Sequence, residues 1–255
     1  MHITTKQFKK FGRLIYDYCG INMHSGKEQL LQARLSKRLR STGISSVDEY
    51  LKVLEKNYQE FNNFIDAIST NHTFFFRESS HLACLRKEHE KIWCAACSSG
   101  EEPFSISIYC LENGFCPSIF ATDISTSVLK MGERGVFPIE KAKNVSPPIL
   151  KKYFKKGYGN WEGSIKVKEN IKRMVTFNKY NLVTDPLPSK KFDTIFCRNV
   201  LIYFDNNVKT VVVNKLYDAL EWNGIFIIGG AESLNNIQHR YKYIKPSIYQ
   251  KVSNY

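Results

Sequence analysis

The chain predicts an α/β fold with a helical segment ahead of it, and three observations carry that expectation. From residue 91 onward, short apolar runs alternate with amphipathic stretches, the pattern of a parallel sheet covered by helices on both faces. The first seventy residues show helical spacing and no strand-like alternation. A length of 255 residues accommodates one α/β domain with a smaller companion.

In chain order, KEQLLQARLSKRLR (27–40) places Leu30, Leu31, Leu35 and Leu39 near one face. Lys27, Arg34, Lys37, Arg38 and Arg40 take much of the rest. Ser45 or Ser46 is positioned to cap the next helix, with Asp48 and Glu49 suiting its dipole. KIWCAACSSGEEPFSISIYCLENG then reads as a strand, a turn of small residues, and a helix ending near Asn113-Gly114. Ile119 to Thr122 is a second strand, closed by Asp123 and followed by a helix from Ser125. FDTIFC (192–197) is a third, Val208 to Leu220 a helix, and residues 224–228 a fourth strand. Tyr241 to Val252 supplies an antiparallel edge pair. Residues 153–177 break the rhythm, with β-like stretches around a glycine-rich turn, and read as a small antiparallel insertion. The predicted organisation is a helical domain over 1–70, a linker contributing to the site over 71–90, and an α/β domain over 91–255. Its β-subdomain covers about 150–177.

Composition sets limits. Hydrophobic residues make up 43 % and aromatics 13 %, enough for a sizeable core. No run of eighteen apolar residues occurs, and the first twenty residues lack an apolar secretory core, so the chain is expected in the cytoplasm. Seven irregularly spaced cysteines then read as free thiols. Cys94 and Cys97 form a C-x-x-C, but no second pair of ligands lies at finger-like spacing, and no metal is expected. The net charge of +13 favours an acidic partner: nucleic acid, a membrane surface or an acidic protein.

The turn Ala95-Ala96-Cys97-Ser98-Ser99-Gly100-Glu101-Glu102 stands where nucleotide-binding α/β folds place their cofactor loop. It is not G-x-G-x-x-G, and two carboxylates there repel a pyrophosphate. They suit a cationic ligand, which favours S-adenosylmethionine over a dinucleotide. Asp123 ends the second strand about twenty residues on, where it can accept both ribose hydroxyls. Cys197-Arg198-Asn199-Val200-Leu201-Ile202-Tyr203-Phe204 leaves the third strand toward the same crevice.

Together STNHTFFFRE (69–78), IWCAACSSGEEPFS (92–105), ATDIS (121–125), NL (181–182) and FDTIFCRNVLIYFD (192–205) resemble the CheR-type chemotaxis-receptor glutamate O-methyltransferase family. LLQARLSKRLRSTGISSVDEYL resembles its N-terminal domain and GYGNWEGSIKV its β-subdomain. The resemblance implies a Rossmann-like class I S-adenosylmethionine methyltransferase domain with a small antiparallel β-subdomain insertion and an N-terminal helical domain. It implies S-adenosyl-L-methionine as cofactor, S-adenosyl-L-homocysteine as product, and no metal. By position, Asn71, Thr73 and Arg77 would contact the cofactor. One of Glu101 and Glu102, with Glu102 preferred, would bind its methionyl part, and Asp123 its ribose. Asn181 and Leu182 would flank the adenine, Arg198 and Asn199 would line the remaining wall, and Arg77 and Tyr203 would lie nearest the transferred methyl.

The implied partners are cytoplasmic helices of methyl-accepting chemoreceptors, with a receptor C-terminal peptide at the β-subdomain; membrane contact comes only through the receptor. Arg34 and Arg38 are expected to align an acidic helix. No nucleic acid is expected, and a monomer is the default. One departure stands out: Gly229-Gly230-Ala231-Glu232 replaces the family's frequent Gly-His-Ser-Glu. Two rivals remain, an RNA methyltransferase and a protein that binds S-adenosylmethionine without transferring its methyl group.

Overall fold

The computed structural model describes residues 3–24 and 26–253. Four helices open the chain: α1 (Thr5–Cys19), α2 (Glu28–Thr42), α3 (Val47–Lys56) and α4 (Tyr58–Ile68). Their apolar faces meet in one core that includes Phe11, Ile15, Leu31, Leu35, Tyr50 and Phe64. Ser46 caps α3, its hydroxyl accepting from the Glu49 N–H at 3.4 Å. Of the four leucines expected on the inner face of α2, Leu31, Leu35 and Leu39 are buried and Leu30 is exposed.

Arg38, expected to align an acidic helix, is instead engaged inside the helical bundle. Its guanidinium reaches the Glu60 carboxylate at 3.0 and 2.5 Å, and the Tyr50 hydroxyl donates to the same carboxylate at 2.6 Å. This group ties α2, α3 and α4 together inside the bundle. Arg38 is therefore a scaffold residue, not the free cation that the expected alignment of an acidic helix calls for.

The α/β part continues with β1 (Lys91–Ala95), α5 (Glu101–Glu112), β2 (Ser118–Asp123), α6 (Thr126–Arg134), β3 (Val136–Pro138), α7 (Pro147–Tyr153), β4 (Phe154–Lys156), β5 (Ser164–Val167), α8 (Glu169–Lys172) and β6 (Val175–Lys179). It closes with β7 (Phe192–Cys197), α9 (Asn206–Ala219), β8 (Leu220–Ile228), β9 (Lys242–Lys245) and β10 (Ile248–Gln250). The main sheet has the order β6-β2-β1-β7-β8-β10-β9. Its first five strands run parallel, and β10 and β9 add the antiparallel edge.

The small antiparallel sheet is β3-β5-β4. It begins at Val136, well before 150, and Val175–Lys179 leaves it to pair parallel with β2. Short β-like runs around a glycine-rich turn look antiparallel locally, but the partner of β6 lies more than fifty residues earlier. The small sheet is thus built into the crossover between β2 and β6, over Phe75, Phe104, Phe137 and Phe154. No helix among the described residues is long and apolar enough to cross a membrane.

Candidate active site

The parallel strands β1, β2 and β7 end on the same side of the sheet, and the loops leaving them line one cleft. The loop after β1 turns through left-handed backbone at Ala96, Ser98 and Gly100. At Gly100 (φ 98°) an added Cβ would stand 3.0 Å from the Gly132 Cα and from the Phe177 ring, so only glycine passes. The Cys97 N–H donates to the Thr122 carbonyl at 2.8 Å. Asp123 fixes the rest, one oxygen accepting from the Ser98 N–H at 2.8 Å and the other from the Ser125 N–H at 2.9 Å. Each carboxylate oxygen keeps a lone pair for a ligand hydroxyl. Burial pushes the Asp123 carboxyl above its ordinary range, against these backbone donors.

The neighbouring glutamates part ways. Glu102 lines the cleft, its carboxylate 2.8 Å from the Arg198 guanidinium. Burial raises its pKa, opposed by the Arg198 charge. Glu101 is fully buried and does not line the cleft: it accepts from the Ser99 hydroxyl at 2.6 Å and pairs with Lys141 at 3.3 Å. Lys141 in turn donates to the Thr73 carbonyl at 2.6 Å. Glu101 thus supports the segment carrying Asn71, Thr73 and Arg77 through an ion pair, and the expected role as a methionyl ligand rests on Glu102 alone.

Asn71, Thr73, Arg77, Glu102, Asp123, Asn181, Leu182, Arg198, Asn199 and Tyr203 all line this one cleft. The Asn181 side chain is anchored by the protein: its amide donates to the Tyr18 carbonyl at 2.7 Å and accepts from the Val183 N–H, which leaves one N–H and one lone pair for a ligand. Leu182 adds apolar surface. Arg77 donates to the His72 carbonyl at 2.8 Å and lies over the Phe74 ring.

Several residues were not singled out. Glu78, in left-handed backbone, accepts from Arg198 at 3.1 Å, from the Gly230 N–H at 3.0 Å and from the Asn199 amide at 3.3 Å. Its pKa is pulled down: burial works to raise it, but the Gly230 N–H and the Arg198 charge prevail. Lys27, Leu30 and Met23 bring the helical domain to the mouth, with the Lys27 ammonium 5.8 Å from the Tyr203 ring centre. The helical segment also grips the opposite wall, the Asn22 N–H donating to the Tyr203 carbonyl at 2.8 Å.

The donor set fits an adenosyl cation. Glu102 and Asp123 supply anionic acceptors, and Ile124, Leu182 and Phe74 supply apolar walls. The Ser98 hydroxyl, buried beside Asp123, has no hydrogen-bond partner among the described residues and is available to a ligand. The thiols of Cys94 and Cys97 are pushed well above the ordinary range by burial, which holds both protonated.

Residues 6–69 match the family model described as CheR methyltransferase, all-alpha domain, and residues 71–250 that described as CheR methyltransferase, SAM binding domain. The chain is 36 % identical to a chemotaxis protein methyltransferase of Borreliella burgdorferi, over 98 % of this chain and 96 % of that one. It is 34 % identical to one of Escherichia coli, over 97 % and 91 %, and 34 % identical to chemotaxis protein methyltransferase 2 of Pseudomonas aeruginosa, over 97 % and 94 %. Both domains of the model family and nearly the full length of these relatives are accounted for by a fold whose cleft fits an adenosyl cation, and the chain belongs to the CheR methyltransferase family of S-adenosylmethionine-dependent enzymes.

Proposed function

We propose that the chain esterifies glutamate side chains on the cytoplasmic helices of bacterial chemoreceptors, giving glutamate methyl esters. One observation carries the choice of a carboxylate as acceptor. The cleft that carries the Glu102 and Asp123 carboxylates also carries two cations, Arg77 and Lys27, the latter 5.8 Å from the Tyr203 ring centre. The carboxylates suit a positively charged donor and the cations an anionic acceptor.

When bound, S-adenosylmethionine supplies a methyl group on a sulfonium that departs as neutral thioether. A glutamate side chain, with an ordinary pKa of about 4.3, is already ionised at neutral pH and attacks without a general base. The enzyme's work is alignment of oxygen and carbon, at roughly 3 Å. In this reading Arg77 and Lys27 draw in the carboxylate, and Tyr203 restricts its approach by packing and through its hydroxyl. Arg77 shares its charge with Glu78 at 3.8 Å, which keeps it from binding the nucleophile too tightly. Exposed Lys37 and half-buried Arg34 on α2 continue the positive surface beyond the mouth and would align an acidic receptor helix. The small sheet, with β4 on its edge, would receive a receptor C-terminal peptide by strand addition.

The test is transfer of radiolabelled methyl groups onto purified receptor, followed by mild base. Label released by base supports the ester; label that persists points to N-methylation and overturns the proposal. Absence of transfer by enzyme that binds the donor leaves a binding protein in its place.

A further inference from the structure

The turn after β7 carries Arg198, Asn199 and Tyr203, and two carboxylates from outside it hold it in shape. One Glu232 oxygen accepts from the Asn199 N–H at 2.8 Å and the Gly229 N–H at 2.6 Å; the other accepts from the Ile202 N–H at 3.3 Å. Asn199 stands in left-handed backbone (φ 58°), and a Cβ on Gly229 would lie 2.5 Å from the Asn199 amide nitrogen. The contact between the two loops is therefore open only to glycine at 229. Glu78 grips the same turn through side chains, Arg198 and Asn199. It also accepts from the Gly230 N–H.

We propose that Glu78 and Glu232 are positioning residues with separate duties: Glu78 sets the cofactor wall through Arg198, and Glu232 sets Tyr203 through the backbone of the turn. Arg198 is shared between Glu78 and Glu102, at 3.1 and 2.8 Å. With Glu78 neutral, Glu102 alone compensates the guanidinium, and less of its charge remains for a ligand cation. Glu232 touches neither Arg198 nor Glu102. Its bond to Ile202 and the Asn22 bond to the Tyr203 carbonyl hold the backbone on both sides of Tyr203.

Glutamine substitutions separate the two. In Glu232→Gln, the amide oxygen can keep the two shorter bonds while its NH₂ faces the Ile202 N–H, donor against donor. The turn is then released only at its Tyr203 end. In Glu78→Gln, shape is kept and charge is lost.

The experiment reads S-adenosylhomocysteine affinity by calorimetry, amide hydrogen exchange over 198–205, and receptor methylation kinetics, on the full chain. Glu78→Gln is expected to weaken the nucleoside about tenfold, the scale of a lost charged hydrogen bond, without changing exchange at 202 and 203. Glu232→Gln is expected to leave that affinity within about twofold, speed exchange at 202 and 203, and lower kcat about tenfold with KM nearly unchanged. Glu232→Asp, which keeps the charge and shortens the reach, is the second variant and is expected to act in the same direction. Equal effects of the Glu78 and Glu232 variants on affinity, or unchanged affinity in Glu78→Gln, overturn the assignment. The turnover arm rests on the receptor glutamate as substrate. If wild-type enzyme fails to methylate receptor, that reading fails by itself, because calorimetry and exchange need no acceptor.

Discussion

The inner and outer walls of the cleft are built by opposite strategies. On the inner wall, Asp123 and Arg198 are buried and bonded on several sides, so the cofactor surface exists before any ligand arrives. On the outer wall, Lys27 and Tyr203 are half-exposed, and the helical domain supplies both Lys27 and the Asn22 N–H that holds the Tyr203 carbonyl. The difference suits the two ligands of the proposed reaction: a small molecule of fixed shape needs preorganised donors and acceptors, whereas a carboxylate on a partner's helix needs steering and room.

The most severe way to break this contrast is to remove the scaffold behind the outer wall. Arg38→Glu leaves Glu60 buried beside a like charge, and a loss of about 3–5 kcal/mol in urea unfolding is expected from breaking such a pair. Arg34→Glu, at a half-buried position with a positive neighbour in Lys37, is expected to leave stability nearly unchanged and raise the KM for receptor in low salt. The Glu60 carboxyl titrates accordingly. Burial works to raise its pKa, but hydrogen bonds from Arg38, Tyr50 and Asn63 bring it below the ordinary value. Its contribution to stability is therefore present above the unfolded pKa and lost as pH falls through the folded one.

Next in size is Asp123→Ala on the inner wall. It strands the N–H groups of Ser98 and Ser125 and removes the acceptor for ribose hydroxyls. Destabilisation of about 2–4 kcal/mol and nucleoside binding weakened about a hundredfold are expected, from melting and calorimetry. Wild-type enzyme is expected to show a milder form of the same loss in acid. Burial raises the pKa of both Glu102 and Asp123, so their protonation begins above the usual carboxylate range. Affinity for the cationic donor should fall as pH drops through those raised values. The same shift means that the unliganded fold binds protons more readily than the unfolded chain. These two groups then oppose folding increasingly as pH rises from the unfolded to the folded pKa. Constant donor affinity from neutral pH to pH ~4 would show that neither carboxylate bears on binding.

These effects also show where the sequence was readable. The loop after β1, Asp123 and the turn after β7 were legible because each lies next to its own strand, and strand ends place ligands in this fold class. Glu102 was preferred over Glu101 only through the family resemblance, since adjacent helix positions differ by about 100° and only the seating of α5 decides which faces the cleft. Glu78 was silent: its role depends on a left-handed backbone and on Gly230, 152 positions away. Arg38 looked like any other cation on α2 until the position of Glu60 on α4 was known. The strand β6 was misassigned for the same reason, its pairing partner being remote.

Arg77→Ala tests which ligand that cation serves. If it serves the acceptor, removing the guanidinium is expected to lower kcat/KM for receptor about tenfold while S-adenosylhomocysteine affinity changes less than about threefold. Equal losses in both would move Arg77 to the inner wall, and no change in either would remove it from the site.

The smallest effect belongs to the small sheet. Lys155 and Lys166 are exposed and directly opposite in the pairing of β4 with β5. Like charges so placed cost about 0.2–1 kcal/mol, and nothing in the packing of that sheet calls for them. Lys155→Glu converts the pair to an attractive one and is expected to stabilise the chain by about that amount in urea unfolding. If the sheet receives an acidic receptor tail, the same change should weaken capture of a tail peptide in low salt, with the effect fading as salt rises. Methylation of a receptor lacking the tail should be untouched. A variant more stable and equally good at capturing the peptide would mean that the lysine pair has no part in binding it, and the positive outer surface that matters would shrink to α2 and the mouth of the cleft.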